Sequence, residues 1–198
     1  VDEAREAGIE QMIFVTGRGK TAIVEHFDIA FELEQTMEER GKDLSILDSS
    51  RATPGDIITV RQQVPLGLGH AVWCARDFIG NEPFAVILPD DVILSKTPAL
   101  KQMVDAYSKV GGNMVAVEEV PMEQVHRYGI LDVDQDDGKI ASAKGLVEKP
   151  NAEDAPSNLS IIGRYILQPE IFDHLGRHER GSGGEIQLTD AIRAMVES

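Results

Sequence analysis

The run Phe84-Ala85-Val86-Ile87-Leu88-Pro89-Asp90-Asp91 constrains the fold of this chain more than any other stretch. Five apolar residues read as a buried strand, and the strand stops abruptly at Pro-Asp-Asp. In open α/β sheets, ligands bind outside the carboxyl ends of the strands. Carboxylates at such an edge can hold a hard cation such as Mg²⁺ against substrate phosphates. The same acids also suit a plainer task, capping the helix that follows. The pattern leaves both readings open.

Around this strand the sequence alternates between strand and helix signals. Val1 to Gly8 reads as the end of a helix with Gly8 at its C′ position, an opening that suggests a fragment. Met12 to Thr16, Ile57 to Gln63, Phe84 to Leu88, Asn113 to Val120 and Leu159 to Leu167 read as strands. Thr21 to Arg40 is expected as one helix with Ile23, Phe27, Ala30 and Phe31 on its apolar face, closed by Gly41. Further helices are expected over Ala71 to Phe78, Pro98 to Val110, Pro169 to Leu175 and Glu185 to Val196, and the chain stops at Ser198 without a cap signal. Tyr128 to Asp134 and Lys139 to Val147 form a β-hairpin joined through Asp136-Asp137-Gly138. The alternation predicts an α/β fold with a mostly parallel mixed sheet, helices on both faces and an added antiparallel hairpin region. No linker divides the chain, so 1–198 is expected to be a single domain.

Charge and cysteine content narrow the partners. The formal net charge of −15 lacks the basic footprint that nucleic acid or an anionic membrane requires. It is compatible with small phosphorylated ligands held by a few local cations, a metal ion and backbone N–H groups. No apolar run is long enough to span a bilayer, and no secretory leader pattern opens the chain. Cys74 is the only cysteine, so no internal disulfide can form, which fits a cytoplasmic location.

Several motifs carry chemistry. Thr16-Gly17-Arg18-Gly19-Lys20-Thr21 suggests a phosphate loop, but the full pattern needs a glycine where Phe14 stands. A tight strand-to-helix turn is the better reading. In Gln62-Gln63-Val64-Pro65-Leu66-Gly67-Leu68-Gly69-His70, the glycines allow close backbone approach, and Gln62 can offer a donor and an acceptor to a nucleobase edge. A solvated helix-entry turn fits as well, and His70 reads as capping or packing. Glu148-Lys149-Pro150 ends a strand, where the two charged side chains are expected on opposite faces. They suit sugar hydroxyls and a phosphate, or simply an exposed strand end. Gly163 lies inside an apolar strand, where glycine often marks close approach of a ligand or of backbone. Gly184-Glu185-Ile186-Gln187-Leu188-Thr189-Asp190 reads as a helix start whose acids suit the dipole.

Taken in order, these motifs resemble the bacterial UTP–glucose-1-phosphate uridylyltransferases. The resemblance rests on Phe14 to Lys20, Gly67 to Val72, Val86 to Asp91, Val147 to Pro150, Pro156 to Leu159, Gly163 to Tyr165 and Gly184 to Ala191, and it covers essentially the whole chain. It implies a Rossmann-like sugar-nucleotide transferase that converts UTP and glucose 1-phosphate to UDP-glucose and pyrophosphate with Mg²⁺. It also implies residue roles. Gln62 and Gly67 would contact the uracil. Asp90 would hold the metal and act in catalysis, with Asp91 supporting it on the nucleotide side. Gly129 and Glu148 would bind glucose, Lys149 would bind the sugar phosphate and act in catalysis, and Gly163 would leave room for the sugar.

The departures from the family pattern set further expectations. The resemblance implies a glycine-rich nucleotide loop ahead of Val1 and a second metal-binding Asp beyond the end of the chain. The chain is therefore expected to be the middle of the enzyme, inactive by itself. An unpaired sheet neighbour would promote association, so a homo-oligomer is expected. Two other functions remain compatible with the motifs: a transferase for another nucleotide or sugar, and a non-catalytic sugar-nucleotide binding or regulatory subunit.

Overall fold

A computed structural model describes residues 1–48 and 51–197, so the expected uncapped end at Ser198 lies outside the described residues. In chain order the elements are α1 (Asp2–Glu6), β1 (Met12–Thr16), α2 (Thr21–Glu25), α3 (Phe31–Glu39), β2 (Ile57–Arg61), α4 (Leu68–Cys74), α5 (Arg76–Ile79), β3 (Phe84–Ile87), α6 (Ala99–Val110), β4 (Met114–Glu119), β5 (Gly129–Asp136), β6 (Ala141–Glu148), β7 (Leu159–Leu167), α7 (Ile171–Leu175) and α8 (Leu188–Val196).

The α/β architecture is present, and its parallel part is confined to one pair. β1 and β2 run in parallel, from Met12 opposite Ile57 to Thr16 opposite Arg61. The other strands form a second sheet in the order β3-β7-β5-β6, with β4 also on β7. Every ladder in that sheet is antiparallel. Alternation along the chain fixes which element follows which, but not which strands meet in space.

β7 organises the second sheet. β4 pairs with it from Leu159 to Ile166 along one edge. The opposite edge is shared: β3 pairs with Arg164 to Leu167, and β5 pairs at Ser160. β3 therefore leaves this edge where β5 joins it, and the stretch between them opens a gap beside Gly163. The two faces of β7 feed two cores, as strand alternation requires. Tyr165 and Leu167 pack with Val72 of α4, Ile171 and Leu175 of α7, and Leu188 and Ile192 of α8. Ile166 packs with Ala4 of α1, Met12 of β1, and Leu100 and Met103 of α6. Leu100, Leu167 and Ile171 are fully enclosed; burying a side chain of this size contributes about 1.5–3 kcal/mol.

Three helices depart from expectation, and the one expected over Ala71 to Phe78 starts at Leu68 and is divided at Ala75 into α4 and α5. The single helix expected over Thr21 to Arg40 is broken between α2 and α3. The Phe27 and Phe14 rings pack edge to face with centroids 5.2 Å apart, and Phe31 N–H donates to Ile29 O instead of reaching back a full helical turn. The expected apolar face is not buried: Phe31 is 66% exposed and Ile23 49%. The last helix starts at Leu188, not Glu185, and Gln187 before it is extended. Among the described residues, no helix is long and apolar enough to cross a membrane.

Candidate active site

Asp90 and Asp91 stand exposed in the turn that leaves β3. They do not cap a helix: the next one, α6, has Pro98 at its N-cap. The turn is pinned to β7 instead. Leu88 N–H donates to Gly163 O at 2.9 Å, and the Arg164 guanidinium donates to Leu88 O at 3.1 Å and to Asp91 O at 2.8 Å. Gly163 has φ +63°, and a Cβ placed on it would overlap Asp91 Oδ2. Only glycine lets the carboxylate lie this close to the strand.

A second cluster lies at the β5 end of the gap. Gly129 opens β5 opposite Glu148, the last residue of β6. Glu148 Oε2 accepts a hydrogen bond from Thr189 Oγ1 at 2.8 Å, which fixes the carboxylate. A Cβ on Gly129 would lie 3.0 Å from Thr189 Cγ2 and 3.2 Å from Glu148 Oε2. Lys149 follows with φ +49°, in the left-handed region that disfavours a side chain. This turn ends the strand alternation and brings Lys149 Nζ to 3.5 Å from Glu148 Oε1, so the two charges are neighbours instead of lying on opposite faces. Strained non-glycine residues cluster at functional sites.

Tyr165 ties the two clusters together electrostatically. Burial, reinforced by the negative charges of Glu148 and Asp91, pushes its hydroxyl up to about 12.

The Gln62 group forms a third cluster. Gln62 follows β2, and its Nε2 donates to Gly67 O at 3.0 Å and to His70 Nδ1 at the same distance. Gly67 and Gly69 make their close approach to another part of the chain. A Cβ on Gly67 would lie 2.8 Å from Glu185 Cβ, and one on Gly69 would lie 2.8 Å from Ile186 O. The segment is bonded in place by Gly69 N–H to Ile186 O and Ile186 N–H to Leu66 O. Chain 186–189 thus links the Gln62 group, through Ile186, to Glu148, through Thr189. His70 is buried, and desolvation, then the charge of His178, lowers its pKa. Thr16 to Lys20 forms a tight turn into α2 with Arg18 and Lys20 exposed.

The structure brings Gln62 to Gly67, Asp91 to Gly163, and Glu148 to Gly129 and Lys149. It places Asp90 beside Asp91 and leaves the Gln62 group joined to the acids only through chain 186–189. Sequence reasoning assigned no role to Arg164, Thr189 or Glu3. Their partners lie 73, 41 and 161 residues away along the chain, so no local pattern signals them. Among the described residues, no cluster of three or more acidic, histidine or cysteine side chains is arranged to hold a metal. The donor set does fit a cation of the Mg²⁺ type, which usually takes one or two carboxylates and completes its shell with water and substrate phosphates.

The nucleotidyl transferase family model matches residues 2–198. The UTP–glucose-1-phosphate uridylyltransferase of Komagataeibacter xylinus is 53% identical over 198 residues, covering 99% of this chain and 70% of the relative. The chain belongs to this family. The uridylyltransferase of Bacillus subtilis (strain 168) is 50% identical over 100% of this chain and 68% of its own length. Among solved structures, a UDP-glucose pyrophosphorylase complexed with UDP-glucose superposes with a TM-score of 0.85 at 41% identity, covering 99% of this chain and 72% of that one. A UTP-bound relative from Acinetobacter baumannii gives 0.86 at 41% identity, over 100% and 70% of the two chains. The uridylyltransferase family thus includes proteins seen with a nucleotide and with a sugar nucleotide. In this chain the family fold carries the two acid clusters along one strand edge.

Proposed function

We propose that this protein is a uridylyltransferase that forms UDP-glucose and pyrophosphate from UTP and glucose 1-phosphate. One observation carries the reading: the Asp90–Asp91 turn and the Glu148–Lys149 pair flank the same gap on β7, in a chain about half identical to enzymes of that name. A phosphate-side group and a sugar-side group on opposite banks of one gap suit a reaction that joins a nucleotide to a sugar phosphate.

Glucose lies over Gly129, with its hydroxyls on Glu148, whose carboxylate Thr189 holds in orientation. Gly163 makes room for the Asp91 carboxylate at the edge of the sugar site. Lys149 neutralises the sugar phosphate as a point charge. Gln62 and Gly67 meet the uracil. Asp90 holds Mg²⁺, with Asp91 beside it; the ion supplies charge neutralisation on the phosphates when bound. The sugar-phosphate oxygen attacks the α-phosphorus of UTP in line, and pyrophosphate leaves. Positioning and electrostatics dominate such a transfer, and no covalent enzyme intermediate is needed. The same reading makes the chain a single nucleotidyltransferase domain of a cytoplasmic homo-oligomer. The lone cysteine supports the location, and the exposed apolar residues of α3 support the association.

The test is pyrophosphate release by the intact protein from UTP and glucose 1-phosphate with Mg²⁺, beside the same assay with dTTP or ATP. Asp90→Asn should lower turnover by about 10²-fold or more, as losing one aimed charge contact does, and should weaken UTP binding far less. Faster release with another nucleotide would reassign the substrate. Binding of UDP-glucose without any turnover would favour the regulatory subunit.

A further inference from the structure

The segment that carries Asp90 has little apolar anchorage of its own. Val92 is 86% exposed and Leu94 99%. Between Leu88 and Leu100, which pack into the two cores, it is held by one ion pair that is buried on the arginine side. Arg164 is 3% exposed, and its guanidinium forms a fork with Glu3: Nε to Oε1 at 2.9 Å and Nη2 to Oε2 at 2.8 Å. Its remaining N–H groups donate to the carbonyls of Leu88, Gly163 and Asp91. Glu3 Oε1 also accepts from Leu100 N–H at 3.1 Å. One guanidinium–carboxylate unit therefore grips chain 88–100 at Leu88 and Asp91 on one side and at Leu100 on the other.

We propose that Glu3 and Arg164 form a positioning clamp that holds the Asp90–Asp91 turn in the place where Asp90 binds its cation. The proposal rests on the metal reading of Asp90 given above. Neither clamp residue touches ligand; both act through backbone groups of the turn. Arginine suits the position because its five N–H groups lie in a rigid planar fork that meets a carboxylate and several carbonyls at once. A lysine would keep the charge but could not make the same set of bonds. Glu3 has two functions: it keeps the buried guanidinium compensated, and it carries the far end of the segment.

The experiment uses the intact protein with E3Q and R164K, E3Q being the milder change should R164K fold poorly. Three quantities are read: thermal melting, Mn²⁺ affinity in the presence of UTP by electron paramagnetic resonance, and hydrogen exchange of the amides across 88–91. Both variants should weaken Mn²⁺ binding by about tenfold, the usual effect of removing a group that orients a ligand. Exchange across 88–91 should quicken by about tenfold as local opening becomes easier. Turnover should fall at limiting Mg²⁺ and recover toward wild type at saturating Mg²⁺. The double variant should do little more than the worse single one, since the two residues act as a unit. Lower melting temperatures with wild-type Mn²⁺ affinity and wild-type exchange would overturn the proposal and leave the pair a scaffold contact.

Failure of the clamp and failure of the metal reading are separable. If Asp90→Asn abolishes Mn²⁺ binding while the pair variants alter neither affinity nor exchange, the clamp is wrong and the metal reading stands. If Asp90→Asn leaves Mn²⁺ affinity unchanged, Asp90 is not the cation's ligand and the proposal is overturned with that reading.

Discussion

Replacing Gly163 by alanine separates the needs of the fold from the needs of the site. Two penalties arise. The residue has φ +63°, where an L side chain costs about 1–2 kcal/mol. The added methyl would also overlap Asp91 Oδ2 and lie 3.0 Å from its Cβ and Cγ. The second penalty is small for the fold, because Asp91 is exposed and its carboxylate can swing away. The total cost is therefore about 1–2 kcal/mol, which lowers the melting temperature of a domain this size by about 2–8 °C. Such a variant stays folded at 25 °C, since domains of this kind have about 5–15 kcal/mol in hand. Catalysis should suffer more. The swung carboxylate no longer lies beside Asp90 where the site needs it, and a misplacement of about 1 Å costs about 10²-fold in rate. Thermal melting and steady-state pyrophosphate release on the same preparation measure both numbers. Turnover close to wild type in a variant with the expected melting loss would refute the role given to the Asp91–Gly163 contact. An unchanged melting temperature would refute the conformational part.

Lys149→Ala should raise the requirement for glucose 1-phosphate and lower turnover, with UTP binding unchanged. Lys149→Gly should do the same while melting above the alanine variant, because it relieves φ +49°; loss of UTP affinity with an intact glucose 1-phosphate response would mean the two phosphates are exchanged. Gly67→Ala should destabilise by about 2–4 kcal/mol in urea unfolding, combining the φ +106° cost with a Cβ 2.8 Å from Glu185 Cβ and 2.9 Å from Ile186 O; a loss under about 1 kcal/mol would show that chain 185–187 is not seated on it. The hydrogen bonds from Arg164 hold the Glu3 carboxyl below the usual carboxylate range. Its stabilising contribution is complete above the unfolded value of about 4.3 and is lost as pH falls through the lower folded value. The gap in stability between wild type and Glu3→Gln should therefore be constant near neutrality and close in acid; a gap that widens in acid would contradict the pairing.

What the sequence made legible was local. The Phe84 run is a strand ending in an exposed acid turn, Leu159 to Leu167 is a strand, and Gly8 and Gly138 take the left-handed conformations expected of a helix stop and a hairpin turn. These features depend on residues within a few positions of one another. The helix expected over Thr21 to Arg40 failed because Phe27 found Phe14, a tertiary contact that outweighs periodicity. Glu185 to Gln187 read as helix because acids near a helix start are common, yet the chain there docks on Leu66 and Gly69. The site was half legible in the same way. Its acids and glycines stand in recognisable short motifs. The groups that orient them, Thr189 on Glu148 and Arg164 on the acid turn, reach across the fold and leave no mark in sequence spacing.

The gap on the edge of β7 separates the floor of the site from its walls. The floor is the pairing that ends β3 and begins β5 on a single strand, and it is set by a few residues of β7. The walls come from connecting segments, 88–98 after β3 and 149–158 between β6 and β7, both mostly at the surface. Such segments tolerate insertion and substitution far better than the elements they join. Over evolutionary time the walls can therefore lengthen, shorten or change charge while the floor keeps its register, so a change of sugar or base need not pass through a broken fold.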